Sequence, residues 1–321
     1  MIIITLSVLV ILIVLDYYYF KSKRLKVERS FLTLETKYGS VEYLDWGDPK
    51  DTPILISYGG GTGIDFIYSL DWLKEEGYRL IAVNRPGYYN LPIHVATSIS
   101  EHADIYHSVV EHLKLESVHV FGVSMGGLSA LYYAEKYNVK SLVLWCAISG
   151  PYSVNEEAVN SPLGRLVMSS KGKAIISWLM ARSARLFPKQ TIASFISTEA
   201  ILDKKEVNAI SKMVSRDKKE RMRMIKFVES LAPMEKIYDG MMDEVRKSEF
   251  DDDVNWSAIQ APVLAVGSTV DKDVPIHHIE RVRDRLNAQV LLVKNAGHFL
   301  WWGQESQKVI DSTLEFFHKE S

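Results

Sequence analysis

Short, continuous runs of apolar residues recur along the chain, separated by stretches in which apolar positions follow a helical period. Runs that are apolar throughout, rather than at every second position, are typical of parallel strands buried on both faces. The pattern predicts such strands at residues 54–57, 80–83, 118–121, 142–145, 263–266 and 290–293, and an antiparallel hairpin at residues 31–36 and 41–46. It predicts helices at residues 64–76, 98–113, 125–137, 276–287 and 304–319. Strand and helix in alternation indicate an α/β fold, with a mostly parallel central sheet flanked by helices.

One long interval, between residues 150 and 260, contains no convincing strand and shows helical periodicity instead. Because proline is excluded from helix interiors, the prolines in this interval indicate several short helices: Pro151, Pro162, Pro188 and Pro233. We predict that residues 151–255 form a helical cap inserted into a core of residues 21–150 and 256–321. Basic residues outnumber acidic ones between residues 171 and 226, which fits either a solvated surface or a face near anionic lipid.

The first residues differ from the rest because they are almost wholly apolar up to Leu15, where Asp16 follows. As a helix, residues 1–20 would be about 30 Å long, roughly the thickness of the hydrocarbon core of a bilayer. The tyrosines at 17–19 suit a membrane interface, and the basic run at 21–26 would stay on the cytoplasmic side. A cleaved signal peptide fits less well, since no basic residue precedes the apolar run and no small-residue cleavage site follows it. We predict an N-terminal transmembrane anchor and a cytoplasmic catalytic domain, with a buried helix as the remaining alternative.

Composition limits the kinds of partner this chain can have. It has 321 residues, of which 47% are hydrophobic, and this is ample for a large core. Its formal charge of -2 gives no basic field of the sort that nucleic-acid binding needs, so we expect no nucleic-acid partner. The single cysteine, Cys146, cannot form an intramolecular disulfide and lies in an apolar run, where a small buried side chain is expected.

A candidate nucleophile follows the apolar run at 118–121. Gly122, Ser124 and Gly126 form a Gly-x-Ser-x-Gly pattern, with a predicted strand before it and a predicted helix directly after it. A serine at such a junction is raised out of the sheet on a tight turn, and the small residues beside it permit the strained backbone. The alternative is a helix-capping serine beside a glycine turn. The strand-to-helix context favours Ser124 as a nucleophile.

A serine hydroxyl needs a base to take its proton, and His298 is the best candidate among the nine histidines. It follows the last predicted strand, at the edge of the sheet where open α/β folds keep their sites. Five of the other histidines are less suited to act as the base. We interpret them as surface or packing residues on the helix at 98–113, or as exposed residues at the start of the helix at 276–287: His102, His107, His112, His277 and His278.

Two aspartates compete for the role of orienting the imidazole. Asp271 and Asp273 both follow the predicted strand at 263–266. Asp273 is closer to the start of the next helix, where it could cap the helix instead. We therefore favour Asp271 as the acid.

The tetrahedral intermediate of acyl transfer also needs hydrogen-bond donors for its oxyanion. The glycine-rich segment from Tyr58 to Gly63 follows the strand at 54–57, and its backbone N–H groups could face a substrate. The N–H of Met125 would be the second donor. A phosphate-binding loop is disfavoured because the segment lacks the Gly-Lys-Ser/Thr ending, and no metal-binding spacing is present, so we expect neither a cofactor nor a metal.

The order of these motifs resembles that of the α/β-hydrolase superfamily. The matching segments span nearly all of the chain after residue 20: Tyr58-Gly59-Gly60-Gly61, Asn84-Arg85-Pro86-Gly87-Tyr88, Gly122-Val123-Ser124-Met125-Gly126-Gly127, residues 271–275 and Gly297-His298-Phe299-Leu300-Trp301. The resemblance implies a serine–aspartate–histidine triad, the fold of that family and a helical cap. It places the acid four residues before the proline, at Asp271, and maps one oxyanion N–H to Gly60.

Some positions depart from the pattern of the family. Tyr58 stands where most members have histidine and Asn84 where many have aspartate, so the substrate subclass is open. Ser124 argues against epoxide hydrolases and haloalkane dehalogenases, which use aspartate. The glycine-rich loop is similar to that of proline iminopeptidases, but Met125 replaces their tryptophan.

These features predict an esterase- or lipase-like serine hydrolase. The predicted anchor and a methionine-rich cap suggest an apolar or lipid-like ester; the alternative is that the methionines simply pack the cap. A peptidase or amidase, a carbon–carbon bond hydrolase, and a ligand-binding signalling module on the same fold remain as alternatives.

Overall fold

The fold was obtained as a computed structural model, which describes residues 2–154 and 169–321. Eight strands form one sheet: β1 (Leu32–Thr36), β2 (Gly39–Trp46), β3 (Thr52–Ser57), β4 (Tyr78–Val83), β5 (Val118–Val123), β6 (Val139–Trp145), β7 (Val263–Ser268) and β8 (Gln289–Val293). Their order across the sheet is β1-β2-β4-β3-β5-β6-β7-β8. The hairpin β1–β2 and the pair β2–β4 are antiparallel, and all other neighbours are parallel. The predicted α/β fold and its strands are confirmed.

The strand order reverses between β3 and β5, and this reversal determines where a site can form. The chain leaves β3 toward one side of the sheet and leaves β5 toward the other, so a crevice opens beyond their carboxyl ends. The glycine-rich segment follows β3 and Ser124 follows β5. The sheet therefore brings these two segments together.

Helices cover the sheet and fill the interval between β6 and β7. They are α1 (Ile2–Glu28), α2 (Asp71–Glu75), α3 (Ser100–His112), α4 (Gly126–Lys136), α5 (Ser170–Leu186), α6 (Pro188–Glu199), α7 (Lys204–Arg216), α8 (Lys218–Ser230), α9 (Met234–Ser248), α10 (His277–Leu286) and α11 (Ser306–Lys319). We call α5–α9 the insertion helices. Residues 155–168 of the predicted cap, with Pro162, lie outside the described residues.

The helix predicted at residues 64–76 was wrong as a single element. A short 3₁₀ helix, Ile64–Ser69, is followed by α2, and Leu70 separates them with φ -100° and ψ 33°. The Ser69 hydroxyl donates to the carbonyl of Phe66 at 2.7 Å. Such local side-chain bonds compete with continuous helical hydrogen bonding.

Helix α1 continues eight residues beyond the predicted end of the anchor at residue 20. Within the described residues it is the one helix that is long and apolar enough to cross a membrane, judged by length and composition alone. Its later turns contact the rest of the protein. Phe20 is buried beside Ala181 and Ala232, and Arg24 forms a buried ion pair with Asp65 at 2.7 Å.

The insertion helices are joined to the core through backbone contacts. The N–H of Gly63 donates to the carbonyl of Ser230 at 2.8 Å, and the N–H of Tyr89 donates to that of Lys236 at 2.7 Å. These bonds fix the end of α8 and the start of α9 beside the glycine-rich segment.

Candidate active site

Ser124 lies on a strained turn between β5 and α4. Its φ is +51°, a conformation that side-chain-bearing residues rarely adopt. The turn is held by its own backbone, because the Ser124 N–H donates to Trp145 O at 3.0 Å and its carbonyl accepts from Gly127 and Ile148. A Cβ at Gly126 would lie 2.1 Å from the Ser57 carbonyl oxygen, so only glycine fits there. The local sequence therefore presents the hydroxyl at the edge of the sheet.

A continuous chain of hydrogen bonds leads from this hydroxyl to a buried carboxylate. His298 Nε2 is 3.0 Å from Ser124 Oγ, and His298 Nδ1 is 3.0 Å from Asp271 Oδ2. A carboxylate only accepts, so Nδ1–H donates to Asp271 and Nε2 is left to accept from the serine. The structure thus brings the three residues together in the arrangement that nucleophilic catalysis requires.

The two aspartates have different surroundings. Oδ1 of Asp271 accepts from the N–H groups of Asp273 and Val274, both at 2.9 Å, which fixes the carboxylate against the imidazole. Asp273 Oδ1 accepts from the Tyr152 hydroxyl at 2.7 Å, and its Oδ2 is 3.6 Å from His298 Nε2. The expectation that Asp273 caps the next helix was wrong. No side chain caps α10, because α10 begins only at His277 and Asp273 turns toward the site.

The protonation states of His298 and Cys146 depend on burial and on the groups beside them. Burial lowers the pKa of the His298 imidazole, but the negative charge of the hydrogen-bonded Asp271 carboxylate opposes this, and the pKa lies well above its ordinary value. Cys146 is buried beneath the histidine and its Sγ donates to the His298 carbonyl at 3.2 Å. Burial raises the pKa of that thiol, which keeps it protonated.

Cys146, Asp271 and His298 are also the one group within residues 2–154 and 169–321 whose ligand atoms are close enough to hold a metal ion. They do not fit one well. Metal binding needs the Cys146 thiolate and a free imidazole nitrogen, whereas the thiol is protonated and Nδ1 is bonded to Asp271. The geometry favours a hydrogen-bonded site.

The glycine-rich segment covers the serine from the other side. A Cβ at Gly59 would lie 3.4 Å from the Ser124 Cβ, and one at Gly60 would lie 3.2 Å from the Met125 Cβ. The peptide between Gly59 and Gly60 is held by its carbonyl, which accepts from Thr62 Oγ1 at 2.9 Å and from Arg85 Nη2 at 3.2 Å.

Arg85 is fully buried, and it joins that peptide to the insertion. Its Nε lies 2.9 Å from Oε1 of Glu244 on α9, while the Tyr88 hydroxyl donates to the other carboxylate oxygen at 2.7 Å. His102 lies in the same cluster, where burial lowers the pKa of its imidazole well below the ordinary value. Arg85 therefore carries the charge that balances Glu244. Local motifs and apolar periodicity do not reveal this link, because Glu244 is 159 residues away from Arg85 along the chain.

A second residue that sequence analysis missed is Glu199, at the end of α6. Its backbone carbonyl accepts from the N–H groups of His298 and Lys272, each at 3.2 Å. Burial and the nearby Asp273 raise the pKa of its carboxyl. A Cβ at Gly297 would lie 2.2 Å from that of Ala200, so the histidine loop packs directly on this helix end. The pattern of apolar positions along the chain does not reveal this contact between the histidine loop and the end of α6.

His278 differs from its sequence interpretation. It was expected to be exposed, but it is buried and its Nδ1 accepts from the Ser149 N–H at 3.0 Å. Burial lowers the pKa of this imidazole to about 4, so it is neutral and serves as a structural acceptor. The helical pattern did not show that α10 turns this residue toward the loop after β6.

The site opens into a cavity of about 170 Å³. Aromatic and aliphatic side chains from the core and the insertion form most of its wall: Phe66, Phe195, Phe227, Leu231, Phe299 and Trp301. Glu199 and Asp273 are the two carboxylates on the wall, and its described residues include no lysine or arginine.

An eight-stranded, mostly parallel sheet with a serine on a strained strand-to-helix turn defines the α/β-hydrolase class. Residues 52–304 match the family model described as the alpha/beta hydrolase fold, which is more than half of the chain. The protein therefore belongs to the α/β-hydrolase family.

Similar proteins agree with this assignment. The chain is 26% identical over 304 residues to a Bacillus subtilis protein named uncharacterized hydrolase YcgS, covering 90% of this chain and 99% of that one. It is 25% identical over 291 residues to the 2-hydroxy-6-oxononadienedioate/2-hydroxy-6-oxononatrienedioate hydrolase of Escherichia coli K12, covering 88% and 90%. An alpha/beta hydrolase fold protein from Nakamurella multipartita superposes with a TM-score of 0.79 at 23% identity, covering 89% and 98%.

Proposed function

We propose that the protein is a serine hydrolase that cleaves a carboxylic ester with an apolar acyl group. The observation that carries the proposal is the hydrogen-bonded chain from Asp271 through His298 to Ser124, at the mouth of an aromatic cavity. We further propose that the insertion helices belong to a cap, formed by residues 151–255, because α6 and α8 contribute Phe195 and Phe227 to the cavity wall.

The reaction proceeds in two halves. His298 takes the Ser124 proton while Oγ bonds to the ester carbonyl carbon, and the N–H groups of Gly60 and Met125 stabilise the resulting oxyanion. When the intermediate collapses, the carbon–oxygen bond breaks and the leaving alcohol takes the proton from Nε2. Water then attacks the acyl-serine, giving its proton to His298, and the carboxylic acid leaves as Ser124 recovers its hydrogen. Asp271 stabilises the imidazolium in both halves.

The cavity supports an uncharged acyl group of limited length. Its volume of about 170 Å³ is below the roughly 300–1,000 Å³ of typical small-molecule sites. Longer acyl chains would require the insertion helices to move. Esters with short acyl chains are therefore the expected best substrates, even where the whole substrate is lipid-like.

A carbon–carbon bond hydrolase is the first alternative, because such enzymes are among the relatives. The E. coli relative is named for a dioate, which carries two carboxylates. The described cavity wall here offers Glu199 and Asp273 and no lysine or arginine, so it would repel a dianion.

A peptidase or amidase is the second candidate, and the same carboxylates favour it. Glu199 and Asp273 could accept hydrogen bonds from a substrate amino group. An aminoacyl amide would then be cleaved in preference to a simple ester, and Glu199→Gln would remove that preference.

We also propose that α1 anchors the protein in a membrane with the catalytic domain on the cytoplasmic side. Support comes from the length and apolar surface of α1 and from the exposed basic residues Lys21, Lys23 and Lys26 that follow its apolar part.

Fluorophosphonate labelling of the full-length protein in detergent tests the nucleophile. We expect the wild type to be labelled and to hydrolyse p-nitrophenyl esters, and Ser124→Ala to do neither. Ser129→Ala is a matched control, since Ser129 is buried on α4 and contacts His102. Labelling that survives in Ser124→Ala would overturn the mechanism. Ser124-dependent labelling without turnover of any ester or amide would favour the ligand-binding alternative.

A further inference from the structure

Helix α1 crosses α5 of the insertion at a defined point. Asp16 Oδ2 accepts from Arg182 Nε at 2.5 Å and from Trp178 Nε1 at 2.8 Å. The Tyr17 and Trp178 rings meet edge to face with centroids 6.0 Å apart. The acidic residue that interrupts the apolar run is therefore paired with side chains of the insertion.

The crossing point lies where the apolar run of α1 ends. Leu15 is the last residue of that run, and Asp16 and the tyrosines at 17–19 follow it. Charged and tyrosine side chains are typical of the interface of a bilayer and not of its hydrocarbon core. If α1 crosses the membrane, the crossing point and α5 therefore lie at the boundary between headgroups and acyl chains.

Helix α5 buries small side chains and exposes large apolar ones, which is the opposite of the distribution expected for a helix that faces water. Its buried face carries small residues, including Ala181 and Ala184, which let it pack closely. Its outer face and the residue after it expose large apolar side chains: Ile175 at 49%, Leu179 at 51%, Leu186 at 67% and Phe187 at 57%. Exposed apolar surface of this kind marks an interaction site.

Two apolar grooves lie on either side of the crossing. One, of about 690 Å³, runs between Tyr18 and Ile175, and the other, of about 680 Å³, runs between Leu12 and Phe187. Lys171 lies on the wall of the first groove, and its long side chain can extend from an apolar surface to anionic headgroups. Arg185, on the wall of the second groove, is paired with Glu229 at 2.5 Å.

We propose that α5 lies in the headgroup–acyl boundary of the bilayer that α1 crosses, with lipid acyl chains filling both grooves. This inference rests on the proposed membrane anchor. The apolar face of an interfacial helix is buried about 5–10 Å below the headgroups, which suits the exposed side chains of α5. The insertion then contacts the membrane through α5 as well as through its packing against α1.

The test uses full-length protein in phosphatidylcholine vesicles, with an environment-sensitive fluorophore at a single introduced cysteine. Leu179→Cys and Phe187→Cys report on the proposed surface. Leu292→Cys is the matched control, because Leu292 is an exposed apolar residue on β8 at the far edge of the sheet. Cys146 is buried, and labelling of the wild type measures any reaction there.

We expect nitroxide-bearing lipids to lower the fluorescence intensity at positions 179 and 187 about twofold or more, because both probes would lie near the acyl chains. The fluorescence intensity at position 292 should not change. Equal, weak quenching at all three positions in protein that floats with the vesicles would overturn the inference while leaving the anchor intact. A blue-shifted but unquenched probe would show that protein covers the surface, and would also overturn it. Failure to float would refute the anchor, and fluorophosphonate labelling of the same sample reports separately on the nucleophile.

Discussion

Asp271 and Asp273 both lie within reach of His298, yet their hydrogen bonds differ. Asp271 is held by two backbone N–H groups and contacts Nδ1, whereas Asp273 is half-buried and bonded to Tyr152. We expect Asp271→Asn to lower kcat by about 10³- to 10⁴-fold, because an amide at that position favours the wrong tautomer of His298. Ester hydrolysis measured beside Asp273→Asn, which should retain most activity, checks this. Equal losses in the two variants would contradict the assignment.

The raised pKa of His298 predicts the pH dependence of the reaction. A general base works only when deprotonated, so activity is lost as the pH falls through its pKa. Since the Asp271 carboxylate outweighs burial and holds that pKa above 6.5, kcat/KM should reach half its maximum at a pH above 6.5. A profile of kcat/KM from about pH 5 to 10 checks this. A midpoint below 6.5 would show that burial dominates.

The residues of the site differ in how far sequence could reveal them. Ser124 lies in a local motif, and the position of His298 after the last strand needed only the strand pattern. Arg85 and Glu199 were not predicted as site residues because each contacts the backbone of a distant segment, Arg85 through its side chain and Glu199 through its carbonyl group. Contacts between segments that are far apart in the chain leave no periodic pattern.

The buried pair of Arg85 and Glu244 connects α9 to the peptide that we propose supplies an oxyanion donor. The charged hydrogen bond to the Gly59 carbonyl orients the following N–H, that of Gly60, and polarises it. The pair is therefore expected to affect the transition state more than substrate binding.

We predict that Arg85→Met with Glu244→Gln lowers kcat by about 10- to 100-fold with little change in KM, because a misoriented oxyanion donor costs transition-state stabilisation. Removing both charges avoids leaving one of them buried alone. Steady-state kinetics on a short-chain ester check this. The matched control is Arg79→Met with Asp45→Asn, a pair 2.6 Å apart between β4 and β2 and away from the site. Equal kcat losses in both double variants would indicate a merely structural role.

Strands were predicted more reliably than helix ends. A buried parallel strand is apolar throughout, so its position follows from the sequence alone. The break at Leu70 and the extension of α1 to Glu28 depend instead on what surrounds them. The apolar pattern could not show that Phe20 and Arg24 are covered by other parts of the chain.

For the whole molecule, the ion pair between Arg24 and Asp65 joins the end of α1 to the segment after the glycine-rich loop. Both side chains are buried, and Arg24 also donates to the carbonyl of Glu229 and to the hydroxyl of Tyr89. The last turns of α1 thus contact both the segment after β3 and helix α8 of the insertion.

We predict that Arg24→Met lowers the free energy of unfolding by about 3–5 kcal/mol, because Asp65 is left buried without its partner. Adding Asp65→Asn should restore most of that loss. Denaturant unfolding in detergent measures both. Lys219→Met is the control, since its ion pair with Glu75 is exposed and contributes at most about 1 kcal/mol. A loss in Arg24→Met no larger than in the control would show that the pair does not hold α1.

Gly87 and Gly240 touch backbone to backbone, with a Cβ at Gly87 placed 2.5 Å from the Gly240 Cα. No side chain separates α9 from the core here, and the hydrogen bonds of Gly63 and Tyr89 flank the contact. This part of α9 cannot move closer to the core without a backbone clash. We therefore expect α9 to stay in place when the cavity adapts to a larger substrate, and its fixed position is set by two residues that have no side chains.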